Sequence, residues 1–516
     1  MKGNICKTHL RQSGLWLLAL FFILVKSNAQ NLELISPVLV TKANNDSINK
    51  FLLGTHNYNH VESNAKRYVN TLQIISANRP WPPLWYCYEP LYTNEQFSID
   101  TAKGKVGYSQ IGLPGFDIGT ISYLRIQPSM NNDSIRSSES QFDFIFVVLD
   151  KQMNPIDTLK SPIIHGGKYG PGFKTNDKIE KLWVTPQHGR LDLSSITGDS
   201  KNKAVESSYY TLDVLDKNDK VKWSWNPIYH LPELFNVRGR IEQNKGTSPE
   251  KAINWLKIES WEWDYDGNIL YCIRHEGGGL KDASVGKISR KDGHVIWKLD
   301  CLGEPTNKYK DSLVCFLPYG VKYVGKTDST TIYSVYDQGG DTSSYARAIL
   351  FEYNEKTTKL NLLKYITPST KYWGNGHGGF EYEPNTGDYV FEYGVFEFSD
   401  TATTDFRNAL EYGIGDSAHA VFQLPRENYT FGMHKLGDWP VPPRAVIYPK
   451  GKNLMASGTQ KKWAWYSLEG PQKTTVKFLG NKVKVKGKPG YTYCAVGKYG
   501  TGYSVSEPYN VLSIKP

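Results

Sequence analysis

The longest apolar run of this chain, Leu15–Val25, covers 11 of its 516 residues. A bilayer-spanning helix needs about 18 or more, so a membrane span is excluded by length. Cysteine is also scarce, with six in the whole chain. No C-x-x-C pair and no His/Cys ligand spacing occurs, so no metal site is expected. Lysine and arginine outnumber the acids to give +10, but they are scattered. Without a concentrated basic stripe, a nucleic-acid partner is excluded. The motifs of common catalysts are missing as well. There is no G-x-S-x-G elbow, no H-E-x-x-H and no phosphate loop ending in Lys-Ser or Lys-Thr, and no cofactor is expected.

The N-terminus carries a secretory pattern over residues 1–29. Lys2, Lys7 and Arg11 precede the apolar run, and Ser27-Asn28-Ala29 supplies a small-x-small cleavage site before Gln30. No cysteine follows that site, which excludes the lipoprotein type of anchor. The expected location is therefore periplasmic or secreted. Four bases leave with the signal (Lys2, Lys7, Arg11, Lys26) and no acids, so the mature charge is 10 − 4 = +6. Cys87, Cys272, Cys301, Cys315 and Cys494 remain. An odd number in an oxidising compartment allows two bridges at most, and a local bridge is expected among Cys272, Cys301 and Cys315.

What is abundant points to strands. Aromatics make up 13% of residues, with 34 Tyr, 46 Gly and 27 Pro, and helical stripes are few. One pattern recurs in residues 144–159, 210–225, 349–365 and 380–393: an apolar strand, a short polar turn marked by Asp, Asn or Gly, and a second strand. Hairpins repeating at this spacing favour a propeller over a sandwich. The fullest unit runs from Asn254 to Leu302. Asp264–Asn268 (DYDGN) is a turn between apolar segments, with strands over Ile269–Arg274, Val285–Ser289 and His294–Leu299 and a hairpin turn at Arg290–Gly293.

That unit resembles the core of the arylsulfotransferase family, in which D-x-DGN leads to a strand ending in arginine and then to a KIDR-x-TG-x hairpin. Similar correspondences run over residues 140–400, including Tyr336–Gly339 (YDQG) and Ala346–Tyr353 (ARAILFEY). The resemblance implies an all-β, six-bladed propeller over residues 30–455. Residues 456–516 form a C-terminal β module, either immunoglobulin- or fibronectin-like or an added sheet. The aromatic and proline-rich stretch 78–119 fits no blade and reads as an insertion or as ordinary packing.

The family moves a sulfuryl group between phenols, with a histidine nucleophile and with further histidines and an arginine over the sulfuryl oxygens. Arg274 and Arg347 match its arginines. Lys257 stands where the family has histidine, Glu259 where it has asparagine, and Tyr319 where it has the nucleophile. The histidine nearest the first motif, His188, falls in a turn. Tyrosine titrates near 10, so about a thousandth is ionised at pH 7. His275 and His377, each in a glycine-rich loop, are the alternative catalytic groups, ahead of His165. Two readings stay open. One is a catalytically degenerate propeller binding a small aromatic or sulfated ligand through Arg274 and Arg347. The other is an active sulfotransferase with a rearranged nucleophile drawn from Tyr319, Lys257, His275 and His377.

Overall fold

The computed structural model describes residues 39–42, 50–60, 66–76, 83–88, 99–101, 104–106, 111–117, 120–128, 142–160, 174–175, 180–216, 218, 220–245, 252–255, 257–274, 283–301, 315, 317–339, 346–367, 379–392, 406–414, 417–425, 428–436, 439–440, 442–458, 462–469 and 475–512. The secretory pattern of residues 1–29 lies outside them, as do His165, His275 and His377.

The chain is an all-β propeller. Its described strands form antiparallel meanders that follow one another along the chain. Strands within residues 111–160, 174–225, 257–301, 318–366 and 379–425 make five of them. The sixth joins the two ends of the propeller: Asn428–Lys435 pairs with Lys50–His60, which pairs with Lys66–Ser76 and then Trp85–Tyr88. The first strand of each sheet lies innermost. Those six inner strands approach one another in order around the ring, and Asn428–Lys435 meets Ile111–Asp117 to close it. A late strand completing an early sheet ties the termini of the ring together without an exposed inner edge.

The sheet of residues 257–301 shows how local sequence sets this geometry. Its strands are Lys257–Trp263, Ile269–Arg274, Ala283–Ile288 and Val295–Cys301. Gly267 and Gly293 take φ of 78° and 75°, the left-handed conformation that the two DG turns require. Asn268 Oδ1 accepts from the Arg290 backbone N–H at 3.0 Å, fixing one turn against the next. Ala283–Ile288 is buried along its whole length, because neighbouring sheets cover both of its faces. Packing there leaves no room at Gly286, where a Cβ would lie 2.6 Å from both the Trp297 carbonyl oxygen and the Tyr271 ring. Gly286→Ala is expected to destabilise by about 2–3 kcal/mol, the upper range for overpacking, since one clash is with backbone. Urea unfolding of the variant checks this, and an unchanged midpoint would refute it.

The hairpins read at residues 144–159, 210–225, 349–365 and 380–393 are all present. Three features differ from the sequence reading. His188 lies in the strand Lys181–Leu191 opposite Ser208, not in a turn, because that strand runs well past its inner partner. Two of the strands inside the stretch 78–119, read as fitting no blade, belong to propeller sheets: Trp85–Tyr88, in the closing sheet, and Ile111–Asp117, the inner strand of the next. Between Trp225 and Ile253 the chain also forms the helices Pro227–His230 and Val237–Lys245; Ile228, Val237 and Ile241 of these helices, with Phe235 from the turn between them, enter the core beside Trp255.

The C-terminal residues continue that closing sheet. Gly502–Val505 pairs with Trp85–Tyr88, and Thr492–Tyr499, Trp463–Glu469 and Thr475–Lys482 extend it outward. A three-stranded sheet of Ile447–Lys450, Asn453–Ala456 and Lys484–Lys486 packs against it through Ile447, Leu454, Trp465 and Tyr493. Thr501 donates from its backbone N–H and its hydroxyl to the Met153 carbonyl at 2.8 and 3.1 Å. The segment is thereby anchored on two neighbouring propeller sheets.

Candidate functional site

Arg274, Tyr319, Lys257 and Arg347 are brought to the same end of the ring by register. Lys257 opens the inner strand of its sheet, directly across from Arg274 at the end of the second strand. Tyr319 follows Pro318 at the start of the next inner strand, where Pro318 faces Asp337 and Asp337 faces Arg347. Glu392 ends its strand opposite Gly379, at the corresponding level of the following sheet.

Arg274 is held on three sides. Its Nε lies 3.1 Å from Glu259 Oε1, and its side chain is 13% exposed against 3% for Glu259. One terminal nitrogen donates to Gln338 Oε1 at 2.7 Å. The guanidinium sits over the Tyr319 ring, 5.6 Å from its centroid, a cation–π arrangement. Burial alone would lower the arginine pKa, but the Glu259 charge outweighs it and the net shift is upward. Arg274 is therefore a permanent cation with its charge already balanced.

Tyr319 is pushed the other way from a nucleophile. Burial, with Glu259 beside it, raises the phenol above its ordinary value, and the opposing pull of Arg274 does not restore it. Arg347 has a similar frame to Arg274: its Nε is 3.1 Å from Asp337 Oδ2, and its guanidinium lies over Tyr365 at 4.6 Å. Asp337 is buried and also accepts from the Leu317 and Gly339 backbone N–H groups at 2.9 and 3.2 Å. Sequence reasoning missed Gln338, Asp337 and Glu392 as members of this end. Gln338 and Asp337 were within reach, since both lie in the matched YDQG segment.

The conspicuous DYDGN motif lies at the opposite end. Lys287 Nζ is 2.7 Å from Asp264 Oδ2, from Asp266 Oδ2 and from Glu355 Oε1, with the lysine and Asp264 side chains fully buried. Tyr333 donates its hydroxyl to Asp264 at 3.0 Å. These three carboxylates are the one group among the described residues close enough to share a metal ion. The Lys287 ammonium stands among them and supplies the positive charge. Burial would lower the lysine pKa, but the three carboxylates reverse this and hold it well up. The motif thus clamps two neighbouring sheets. Glu180 is at this end too, 3.2 Å from Arg290.

The five described cysteines are buried, and the local bridge expected among Cys272, Cys301 and Cys315 is not formed in the structure. Cys272, Cys301 and Cys315 share one packing cluster. Among the described residues no helix is long and apolar enough to cross a membrane.

No protein-family model matches the chain, and no curated protein matches it. Solved structures do. The β-propeller domain of the Trilobed protease from Pyrococcus furiosus aligns over 79% of this chain and 97% of that one, at 8% identity and a TM-score of 0.29. The polysaccharide lyase Uly1 aligns over 78% and 90%, at 10% identity and a TM-score of 0.29. MPT-4, a mannose phosphorylase from Leishmania mexicana, aligns over 65% and 89%, at 12% identity and a TM-score of 0.21. Likeness at that level carries nothing about activity.

Proposed function

We propose that this is an exported, arylsulfotransferase-like propeller that has lost transfer chemistry and binds a small aromatic, anionic ligand at the Arg274–Arg347 end of the ring. The observation that carries the reading is the state of Arg274, whose charge is balanced by Glu259 and whose stacking partner, Tyr319, has its phenol held protonated. A sulfuryl-transfer centre needs the opposite arrangement, an ionisable nucleophile and uncompensated cations over the developing charge. The sequence supports the same view, since lysine and tyrosine stand where the resemblance would place histidines. The secretory pattern of residues 1–29 supports export.

Aromatic rings remain at this end for stacking, and Arg347 is the more exposed of the two arginines, at 23% against 13%. The ligand class that fits is a phenol carrying a sulfate or carboxylate, its ring against Tyr365 and its anion at Arg347.

The test pairs turnover with binding. The purified mature protein is incubated with a chromogenic aryl sulfate and a phenol acceptor from pH 6 to pH 9, and aryl sulfate binding is measured by calorimetry. The expected result is no sulfuryl transfer, measurable binding, and an affinity about tenfold or more lower in Arg347→Met with Asp337→Asn than in Asp337→Asn alone, as for a hydrogen bond to a charged group. Turnover abolished by Tyr319→Phe would establish the active-enzyme reading instead. Neither turnover nor binding would overturn the ligand assignment.

A further inference from the structure

We propose that the outer face of the three-stranded sheet Ile447–Lys450, Asn453–Ala456 and Lys484–Lys486 is a docking surface for a linear polysaccharide bearing carboxylates or sulfates. The surplus of bases, scattered when the whole chain is considered, gathers in this segment. Residues 445–506 hold 11 lysines against a single acid, Glu469, a surplus of ten that equals the net charge of the whole chain. The next acid along the chain, Glu507, is already engaged by Arg444.

Register decides which side chains share the face. Ile447, Leu454 and Val485 turn inward and pack with Trp463 and Trp465. On the other side Tyr448 stands beside Met455 and Met455 beside Lys484, while Lys450 stands beside Asn453 and Asn453 beside Lys486. Tyr448, Lys450, Lys484 and Lys486 are all exposed. Lys484 and Lys486 lie about 7 Å apart along their strand, and Lys450 is two strands, or about 10 Å, from Lys486. Lys452 joins them from the turn at Gly451, because its carbonyl accepts from the Gly487 backbone N–H at 3.2 Å. Lys488 follows, with its ammonium over the Tyr491 ring at 5.7 Å. The three strands and the Gly451-Lys452 turn contain no Asp or Glu, so the sheet brings no counter-charge of its own.

A flat array of cations beside an exposed tyrosine fits a polymer whose anions repeat sugar by sugar and whose ring faces can lie on an aromatic. The face has no arginine, the side chain whose planar fork suits phosphate, which argues against nucleic acid. Its apolar groups alternate with lysines and form no continuous apolar strip of the kind that enters a lipid surface. The secretory pattern of residues 1–29 points to polymers met outside the cytoplasm.

Binding of the purified mature protein to polygalacturonate, dextran sulfate and uncharged dextran is measured by calorimetry at low and high salt. The expected result is binding to one or both anionic polymers, none to dextran, and an affinity that falls as salt rises. Lys484→Gln with Lys486→Gln should weaken it about five- to tenfold, as for two exposed ion pairs, with an unchanged urea midpoint. Lys201→Gln with Lys203→Gln removes as much charge from the short helix Ser200–Lys203 of the propeller and should leave binding unaltered. Tyr448→Ala should weaken binding while keeping its salt dependence. The proposal would be overturned by no binding to either anionic polymer, or by equal affinities in the two lysine double variants. Tighter binding to single-stranded DNA or to phosphatidylglycerol vesicles than to either polysaccharide would overturn it too.

Discussion

Lys287→Met should cost about 3–5 kcal/mol, the usual penalty for removing one partner of a buried ion pair. The substitution keeps most of the side-chain volume, so the loss is electrostatic. It leaves the fully buried Asp264, together with Asp266 and Glu355, without the ammonium that each touches at 2.7 Å. Because Glu355 comes from the neighbouring sheet, the damage should spread across the interface between the two sheets. Urea unfolding gives the magnitude, and Lys287→Met with Asp264→Asn gives the coupling. The double variant should be more stable than the sum of the single costs predicts. A single-variant cost under about 1 kcal/mol would show that the clamp is a surface-like pair after all.

The same clamp fixes how stability depends on pH. Burial opposes ionisation of Asp266, but the hydrogen bond from Lys287 prevails and holds it below its ordinary value. A carboxylate depressed on folding stabilises above its unfolded pKa and is lost as pH falls through the folded one. Lys287 is raised on folding, so its contribution is complete below the ordinary lysine value and fades as pH rises through the folded value. In Lys287→Met the uncompensated carboxylates take up protons more readily. The penalty should therefore be largest near pH 7 and smaller near pH 4, where protonation relieves the excess negative charge.

The turn at Asp264–Asn268 was legible because its signal is local: a glycine at positive φ and flanking apolar strands belong to one short stretch. The same holds for each hairpin, and hairpins repeated along the chain led to the propeller. What its aspartates do was not legible. They meet Lys287 from a strand two turns on and Glu355 from the next sheet, a contact made only when the ring closes. Arg274 divides the same way. Glu259 is its near neighbour across a hairpin and was noticed as a substitution, whereas Gln338 comes from a different sheet, 64 residues away. The helices between Trp225 and Ile253 escaped because Val237–Lys245 is largely polar, and only Val237 and Ile241 enter the core. The extension of the closing sheet by Gly502–Val505 escaped too, since strand partners so distant in sequence leave no local mark.

Glu259→Gln should raise the affinity for an aryl sulfate by about tenfold, or about 1.4 kcal/mol. The carboxylate now balances Arg274 from 3.1 Å. Removing its charge while keeping its shape leaves a buried cation beside the Tyr319 ring, and a sulfate is the counterion that can replace it. Arg274→Ala should do the reverse and do it twice over. It removes the cation and takes from the buried Glu259 carboxylate the charge that faces it at 3.1 Å, at a stability cost of about 3–5 kcal/mol. Loss of binding in that variant alone would therefore not distinguish a ligand contact from a damaged fold. The informative comparison is Arg274→Met with Glu259→Gln, which removes both charges. Its stability should return to within about 1–2 kcal/mol of the parent, because a neutral pair of similar volume avoids the desolvation penalty. If affinity in this double variant still falls below that of Glu259→Gln, Arg274 contacts the anion directly. If the two bind equally, Arg274 is a structural cation and the anion belongs to Arg347 alone.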